Sequence, residues 1–196
     1  MKKRCIVCTS RESFKLLCAW LPTEISTSSR FFVSRGQIND IDCTQDVIMR
    51  HAIPALLIRN AQTTDEDLIG DQYSLIEDIL LMSCAPQAFD VEIVAPALEA
   101  MLFETQALFD AIFREHATEL LKLMGSYDPA RALRETGLSI DDIITSLDDA
   151  ARELMRATPT ARAILDGIAR LDAKAFEPLR AEGSRLPHPL PQLTPW

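Results

Sequence analysis

The sequence predicts an α/β protein with a small, mostly parallel sheet followed by a helical C-terminal region. Up to about residue 105, four short apolar runs alternate with amphipathic segments, which is the pattern of strands joined by crossover helices. After residue 105 no strand pattern appears, and apolar residues recur at helical spacing. We therefore expect an α/β domain over residues 1–105, a helical region over residues 106–186 and a proline-rich tail over residues 187–196.

The individual elements follow from the apolar runs and from the residues that start and stop helices. Strands are predicted at residues 5–8, 30–34, 53–58 and 89–94. A capping box from Thr9 to Glu12 is expected to open the first helix, Thr63 to cap a later one, and Pro96 to occupy the first turn of the helix after the fourth strand. In the C-terminal region we predict helices over residues 109–124, from Asp128 to Gly137, and from Ser139 onward.

The charge of the chain is unevenly distributed. Residues 1–60 carry nine Lys or Arg and five Asp or Glu, whereas residues 61–196 carry eleven and twenty-four. An acidic C-terminal half repels phosphate backbones. Contact with nucleic acid is thus expected only through a partner or through basic residues near the N-terminus, which are Lys2, Lys3, Arg4, Arg30 and Arg35.

Several classes of protein are disfavoured by simple features of the sequence. No apolar run approaches the roughly 20 residues that span a bilayer, and Arg11, Glu12 and Lys15 interrupt the apolar stretch that a signal peptide would need. Five cysteines are an odd number for a disulfide framework. The sequence therefore predicts a cytoplasmic protein with reduced thiols and no membrane association.

Common catalytic motifs are weak or missing. Cys5 and Cys8 have the spacing of a redox pair, but in a strand their side chains point to opposite faces, so core packing is favoured. The three histidines, His51, His116 and His188, are far apart in sequence, and none of the six glycines forms a phosphate-binding cluster. The remaining candidate site is the carboxyl end of the sheet, where open α/β sheets bind ligands.

Four segments at the strand ends carry a family resemblance. They are residues 5–12, 32–39, 53–62 and 94–102, and the last of these, Val-Ala-Pro-Ala-Leu-Glu-Ala-Met-Leu, is the most specific. In their order and spacing, residues 3–105 resemble a Toprim domain of the OLD-like branch (overcoming lysogenization defect). The resemblance implies a fold used for magnesium-dependent nuclease chemistry, and a module joined to or encoded beside an ABC-type ATPase.

The chain departs from the family pattern at the metal ligands. Cys8 and Thr9 stand where the family has Glu-Gly, and Asn60 and Gln62 stand where it has an Asp-x-Asp pair. Magnesium prefers charged oxygen ligands, so these replacements predict a degenerate site without a metal or other cofactor. Only Glu12 and Glu99 remain as acids at family positions, and the predicted capping box accounts for Glu12.

Two functions follow from this comparison. The first is a non-catalytic interaction or regulatory subunit, a pseudo-nuclease whose partner is an ABC-type ATPase in a phage-defence (antiviral) or DNA-repair assembly. The alternative is a divergent magnesium-dependent nuclease that uses Glu12 and Glu99. Its further metal ligands would come from the acids after the third strand, Asp65, Glu66, Asp67 and Asp71, although acids in a first helical turn are common for capping reasons alone. A third possibility is that the helical half carries the function and binds a small ligand or another helix.

Overall fold

The computed structural model describes residues 3–34 and 39–174, and a four-stranded parallel sheet lies at its centre. The strands are β1 (Arg4–Cys8), β2 (Ser29–Val33), β3 (Ala55–Asn60) and β4 (Phe89–Val94), arranged in the order β2-β1-β3-β4. In the register of the sheet, Cys5 lies between Arg30 of β2 and Ala55 of β3, and Ala55 is opposite Phe89 of β4. The predicted fold class, a small parallel sheet with a helical region, is confirmed.

Helices connect the strands, and the regular elements described after β4 are all helices. The α-helices are α1 (Arg11–Trp20), α2 (Thr23–Ser28), α3 (Asp40–His51), α4 (Glu66–Leu81), α5 (Gln106–Phe113), α6 (Glu119–Tyr127), α7 (Pro129–Thr136), α8 (Ile140–Ser146), α9 (Asp149–Arg156) and α10 (Pro159–Ala173). Short 3-10 helices occur at Pro86–Ala88, Leu98–Phe103 and Arg114–His116.

The two faces of the sheet have separate cores. Alternation along β1 sends Cys5 and Val7 to one face, where they pack with apolar residues of α3 and α4. Ile6 and Cys8 point to the other face and join a larger core that contains residues of α1, of the 3-10 helix Leu98–Phe103 and of α5 to α10. The C-terminal helices therefore complete the core on one side of the sheet.

Polar contacts also tie the last described helix to the sheet. Arg4 is only 3% exposed, and its Nε donates to Oδ1 of Asp172 in α10 at 2.7 Å. At the β4 edge of the sheet, Arg170 Nε donates to Oδ2 of Asp90 at 3.0 Å, and Lys174 Nζ donates to the carbonyl oxygen of Phe89 at 2.7 Å. The N-terminal strand and the C-terminal helix thus depend on each other.

Three predicted helix starts are wrong in detail. Ser10, not Thr9, caps α1 by accepting a hydrogen bond from the backbone N–H of Ser13. Asp65, not Thr63, caps α4. Pro96 precedes the next helix, which is of the 3-10 type and begins at Leu98 after an extended Ala97.

Two long helical patterns are broken by caps that periodicity alone does not reveal. The predicted helix over residues 109–124 is divided, because Thr118 caps a new helix by accepting from the N–H of Leu121. The helix from Ser139 is divided into α8 and α9, because Asp148 accepts from the N–H of Ala151. A short polar side chain before a helical turn ends one amphipathic segment and begins another.

Two further predictions concern membrane association and the C-terminal tail. Among the described residues, no helix is both long enough and apolar enough to cross a bilayer. The proline-rich tail, residues 187–196, lies outside the described residues.

Candidate functional site

The order of the strands places a crevice between β1 and β3. From β1 the chain moves to β2 on one side, while β3 lies on the other side, so the connections diverge at the carboxyl ends of β1 and β3. Open α/β sheets bind ligands at such a switch point. Residues 9–13 leave β1 here, and residues 61–62 leave β3.

Asn60 cross-links the segments that surround this crevice. Its Nδ2 donates to the Ser13 hydroxyl oxygen at 3.3 Å, and its Oδ1 accepts from the backbone N–H of Leu98 at 3.1 Å. The amide therefore uses a donor and an acceptor to join β3 to α1 and to the 3-10 helix Leu98–Phe103. A carboxylate at this position could accept two hydrogen bonds but could not donate one.

Ser13 is the centre of a small polar network. Its Oγ accepts from the Ser10 hydroxyl at 2.8 Å and from Asn60, and the Ser13 side chain is close enough to Glu99 to lower the pKa of that carboxyl. Ser13 is buried, so these partners replace the water that the hydroxyl lacks. Ser13 was not predicted as a site residue, although the sequence has a second hydroxyl three residues after Ser10.

Glu99 and Glu12 face the same surface groove. Burial raises the pKa of Glu99, and the nearby Glu12 carboxylate raises it further, whereas the hydrogen bonds from its own backbone N–H and from Ser13 lower it. The groove has a volume of about 510 Å³. Its other lining residues come from α7 and the start of α8: Ala130, Leu133, Arg134, Gly137, Leu138, Ser139 and Ile140.

The explanation of Glu12 as a capping residue is wrong. Ser10 takes the N-cap position of α1, which leaves Glu12 in the first turn, where a carboxylate interacts favourably with the helix dipole. Its side chain is exposed and lines the groove. Of the family positions, the structure brings together Glu12, Asn60 and Glu99, with Ser13 between them.

Cys8, Thr9 and Gln62 do not present ligand atoms to a common site. Cys8 is fully buried in the core, and this burial raises the pKa of its thiol to about 12. Thr9 is buried, and its hydroxyl has no hydrogen-bond partner among the described residues. Gln62 has a left-handed backbone, with φ of 58°, and its N–H donates to the Pro96 carbonyl at 2.7 Å while its side chain is exposed.

These residues do not fit a magnesium ion as the family pattern requires. A protonated thiol and a cross-linked amide replace charged oxygen ligands. Asp65 is occupied as the cap of α4, accepting from the N–H groups of Asp67 and Leu68, and Glu66, Asp67 and Asp71 are exposed along that helix. In residues 3–34 and 39–174, no three His, Cys, Asp or Glu side chains are placed to hold a metal together.

The predicted basic contact near the N-terminus is partly wrong. Arg4 is buried and paired with Asp172, so it is not a surface cation. Lys3 and Arg30 are exposed, and Arg30 contacts His51 at 3.2 Å. Lys2 and Arg35 lie outside the described residues.

The five cysteines are free thiols. Cys5 and Cys8 lie in the cores on opposite faces of the sheet, as the strand pattern predicts. Burial raises the pKa of Cys5 to about 11, which disfavours the reactive thiolate.

Comparison of the chain with protein-family models, with curated proteins and with solved structures finds no match. The resemblance to the Toprim domain therefore stays a prediction from the sequence.

Proposed function

We propose that the chain is a non-catalytic interaction or regulatory subunit built on a Toprim-like scaffold. The observation that supports this most directly is the role of Asn60. Where the family would place a metal-binding carboxylate, the amide donates to Ser13 and accepts from Leu98. The position thus holds three segments together instead of offering charged oxygens to an ion.

The surroundings of Asn60 support the same proposal. The Cys8 thiol is buried and keeps its proton at neutral pH. The groove beside the network is mostly apolar, with carboxylates only at Glu12 and Glu99 among its lining residues. Binding a protein segment requires apolar surface with a few polar anchors, whereas two-metal phosphoryl chemistry requires a denser set of carboxylates.

The identity of the partner is proposed from the family resemblance alone. OLD-like Toprim modules accompany ABC-type ATPases, so we propose an ATPase partner in a cytoplasmic phage-defence or DNA-repair assembly. Nucleic acid would then be contacted through that partner, in keeping with the acidic character of residues 61–196.

One observation favours the alternative of a divergent nuclease. Glu12 and Glu99 line the same groove, and the pKa of Glu99 is raised in part by Glu12. Magnesium is often held by only one or two carboxylates together with waters and substrate phosphates. A single-ion site at these two residues is therefore the specific arrangement to test.

Plasmid cleavage and metal titration distinguish the two functions. We expect no magnesium- or manganese-dependent nicking of supercoiled plasmid by the wild-type chain, and no calorimetric binding of either ion. The matched variants are Glu99→Ala and Glu119→Ala, the second being an exposed acid outside the groove. Cleavage that is lost in Glu99→Ala but kept in Glu119→Ala would overturn the proposal in favour of the nuclease.

A further inference from the structure

Helix α4 presents an exposed apolar stripe that has no cover among the described residues. Leu68, Leu75 and Met82 are 52%, 60% and 85% exposed. They are seven residues apart, so they lie nearly in line along one side of the helix, and Met82 keeps helical backbone angles as the C-cap. At 1.5 Å per residue the stripe is about 21 Å long. The opposite side of α4, with Ile76 and Leu80, packs on the sheet.

A row of carboxylates runs beside this stripe. Asp67, Asp71 and Asp78 are exposed, and the helical period places them next to the line of Leu68, Leu75 and Met82. With Glu66 and Glu77, the helix has five acids and no Lys, Arg or His. None of the five has an ion-pair partner among residues 3–34 and 39–174.

The charge pattern decides between possible occupants of this face. A second copy of α4 would bring two acidic rows together, and an anionic membrane or nucleic acid would be repelled. Residues 175–196 of the same chain have two Arg and two Glu, so they carry no excess of positive charge to complement the acidic row. A basic amphipathic helix satisfies both rows, because its apolar face covers the leucines and its Lys or Arg residues pair with the aspartates.

We propose that the face formed by Leu68, Leu75, Met82, Asp67, Asp71 and Asp78, the α4 face, is the docking surface for a basic amphipathic helix of a partner protein. The length of the stripe matches about four helical turns of that partner. This rests on the proposed function in one respect, that the chain works by binding another protein. It assigns a contact to α4 that is separate from the groove, because α4 lies on the side of the sheet opposite the groove and the C-terminal helices.

The test uses the full chain and a defined probe. The probe is a fluorescein-labelled model peptide of leucine and lysine arranged as an amphipathic helix, and binding is followed by fluorescence anisotropy at several salt concentrations. We expect Leu75→Ser to weaken binding about tenfold or more, the effect of losing an apolar contact at the centre of an interface. Leu123→Ser on α6 is the matched control, because Leu123 is 59% exposed, and it should leave binding unchanged.

The contribution of the acidic row to binding is tested with a second pair of matched variants. Asp71→Asn with Asp78→Asn removes two charges from the α4 face, and we expect weaker binding and a reduced dependence on salt. Glu119→Gln with Glu135→Gln removes two exposed charges elsewhere and should change neither. A control peptide with glutamate in place of lysine is expected not to bind.

Four outcomes would overturn the inference. Two come from the peptide assay: Leu75→Ser and Leu123→Ser weaken binding of the lysine peptide equally, or the glutamate peptide binds as tightly as the lysine peptide. The other two are a dimer of the chain that Leu75→Ser dissociates, and tighter binding of the lysine peptide to a chain that ends at residue 174. The last two identify a second copy or residues 175–196 as the occupant. Metal-dependent cleavage together with normal peptide binding would contradict the proposed non-catalytic function, but it would still support the α4 face as a docking surface.

Discussion

Single residues at the carboxyl end of the sheet show how scaffold and site share the same atoms. Asn60 and Ser13 are polar groups at the switch point, yet each makes hydrogen bonds that hold α1, β3 and the segment after β4 together. A net stabilisation of about 0.5–1.5 kcal/mol for each hydrogen bond is enough to favour an amide at position 60 in the absence of any metal. Glu99 lies at the same edge, and its carboxyl has a raised pKa.

The stability of the protein should depend on pH through Glu99. Burial and the neighbouring Glu12 raise the pKa of Glu99 above its ordinary value of 4.5, so the folded state holds this proton more tightly than the unfolded chain does. The ionised form thus opposes folding, and its cost grows as pH rises from the unfolded pKa through the raised folded pKa. We expect Glu99→Gln to gain stability relative to wild type between about pH 4 and about pH 7.

Urea unfolding at the two pH values measures this difference. Glu119→Gln serves as the control, because it removes an exposed carboxyl group outside the groove. A constant difference between Glu99→Gln and wild type would show that the Glu99 carboxyl titrates as it does in the unfolded chain.

At the scale of the elements, two helical glycines should respond in opposite ways to the same substitution. A Cβ on Gly70 of α4 would meet no atom within 4 Å, so Gly70→Ala removes backbone entropy from the unfolded chain without a clash. A Cβ on Gly125 of α6 would lie 2.2 Å from the Phe103 ring, which stacks on Phe113 with 4.9 Å between ring centroids. That ring is buried and packed, so it cannot move freely.

We expect Gly70→Ala to stabilise the protein by about 0.5–1 kcal/mol and Gly125→Ala to destabilise it by about 1–3 kcal/mol. Chemical denaturation of the two variants beside wild type measures both changes, with circular dichroism to confirm the native helix content. Stabilisation by Gly125→Ala would mean that α6 does not pack closely on Phe103.

The elements also show what the sequence can and cannot predict. The strands and their parallel arrangement follow from short apolar runs between helical segments, because a buried parallel strand needs apolar residues on both faces. Helix ends were harder to predict, since Ser10 and Thr9 are both favourable caps by residue type and the path of the chain places Ser10 at the cap. The divisions at Thr118 and Asp148 were missed because the apolar period continues across them.

The candidate site was predictable only in part for a related reason. Strand ends identify the edge of the sheet, so Asn60 and Glu99 could be placed there from the sequence. The side of the groove formed by residues 130–140 could not be predicted from the sequence, because these residues reach Glu12 and Glu99 only through tertiary packing. The exposed stripe of α4 was visible as a seven-residue repeat of Leu68, Leu75 and Met82, but exposure cannot be distinguished from burial without the packed sheet.

For the molecule as a whole, the C-terminal helices are part of the structure that the α/β segment needs. Ile6, Cys8, Leu56 and Ile58 on one face of the sheet share a core with residues of α5 to α10. Without those helices, only α1 and the 3-10 helix Leu98–Phe103 would cover this face, and the buried Arg4 would lose Asp172. Removing one partner of a fully buried ion pair lowers the free energy of unfolding by about 3–5 kcal/mol. Because Asp172 is 43% exposed, we expect the loss of the Arg4–Asp172 pair to cost about 3 kcal/mol or less.

We therefore expect a fragment of residues 1–105 not to fold by itself. Domains owe their stability of about 5–15 kcal/mol to a complete core, and the exposed face would remove most of that margin. The measurement is thermal and urea unfolding, followed by circular dichroism, of residues 1–105 and of residues 1–174. The longer chain keeps every described helix and should unfold cooperatively, whereas the fragment should show no cooperative transition. Cooperative unfolding of residues 1–105 would mean that the sheet has a sufficient core of its own, and that the helical region is a separable addition.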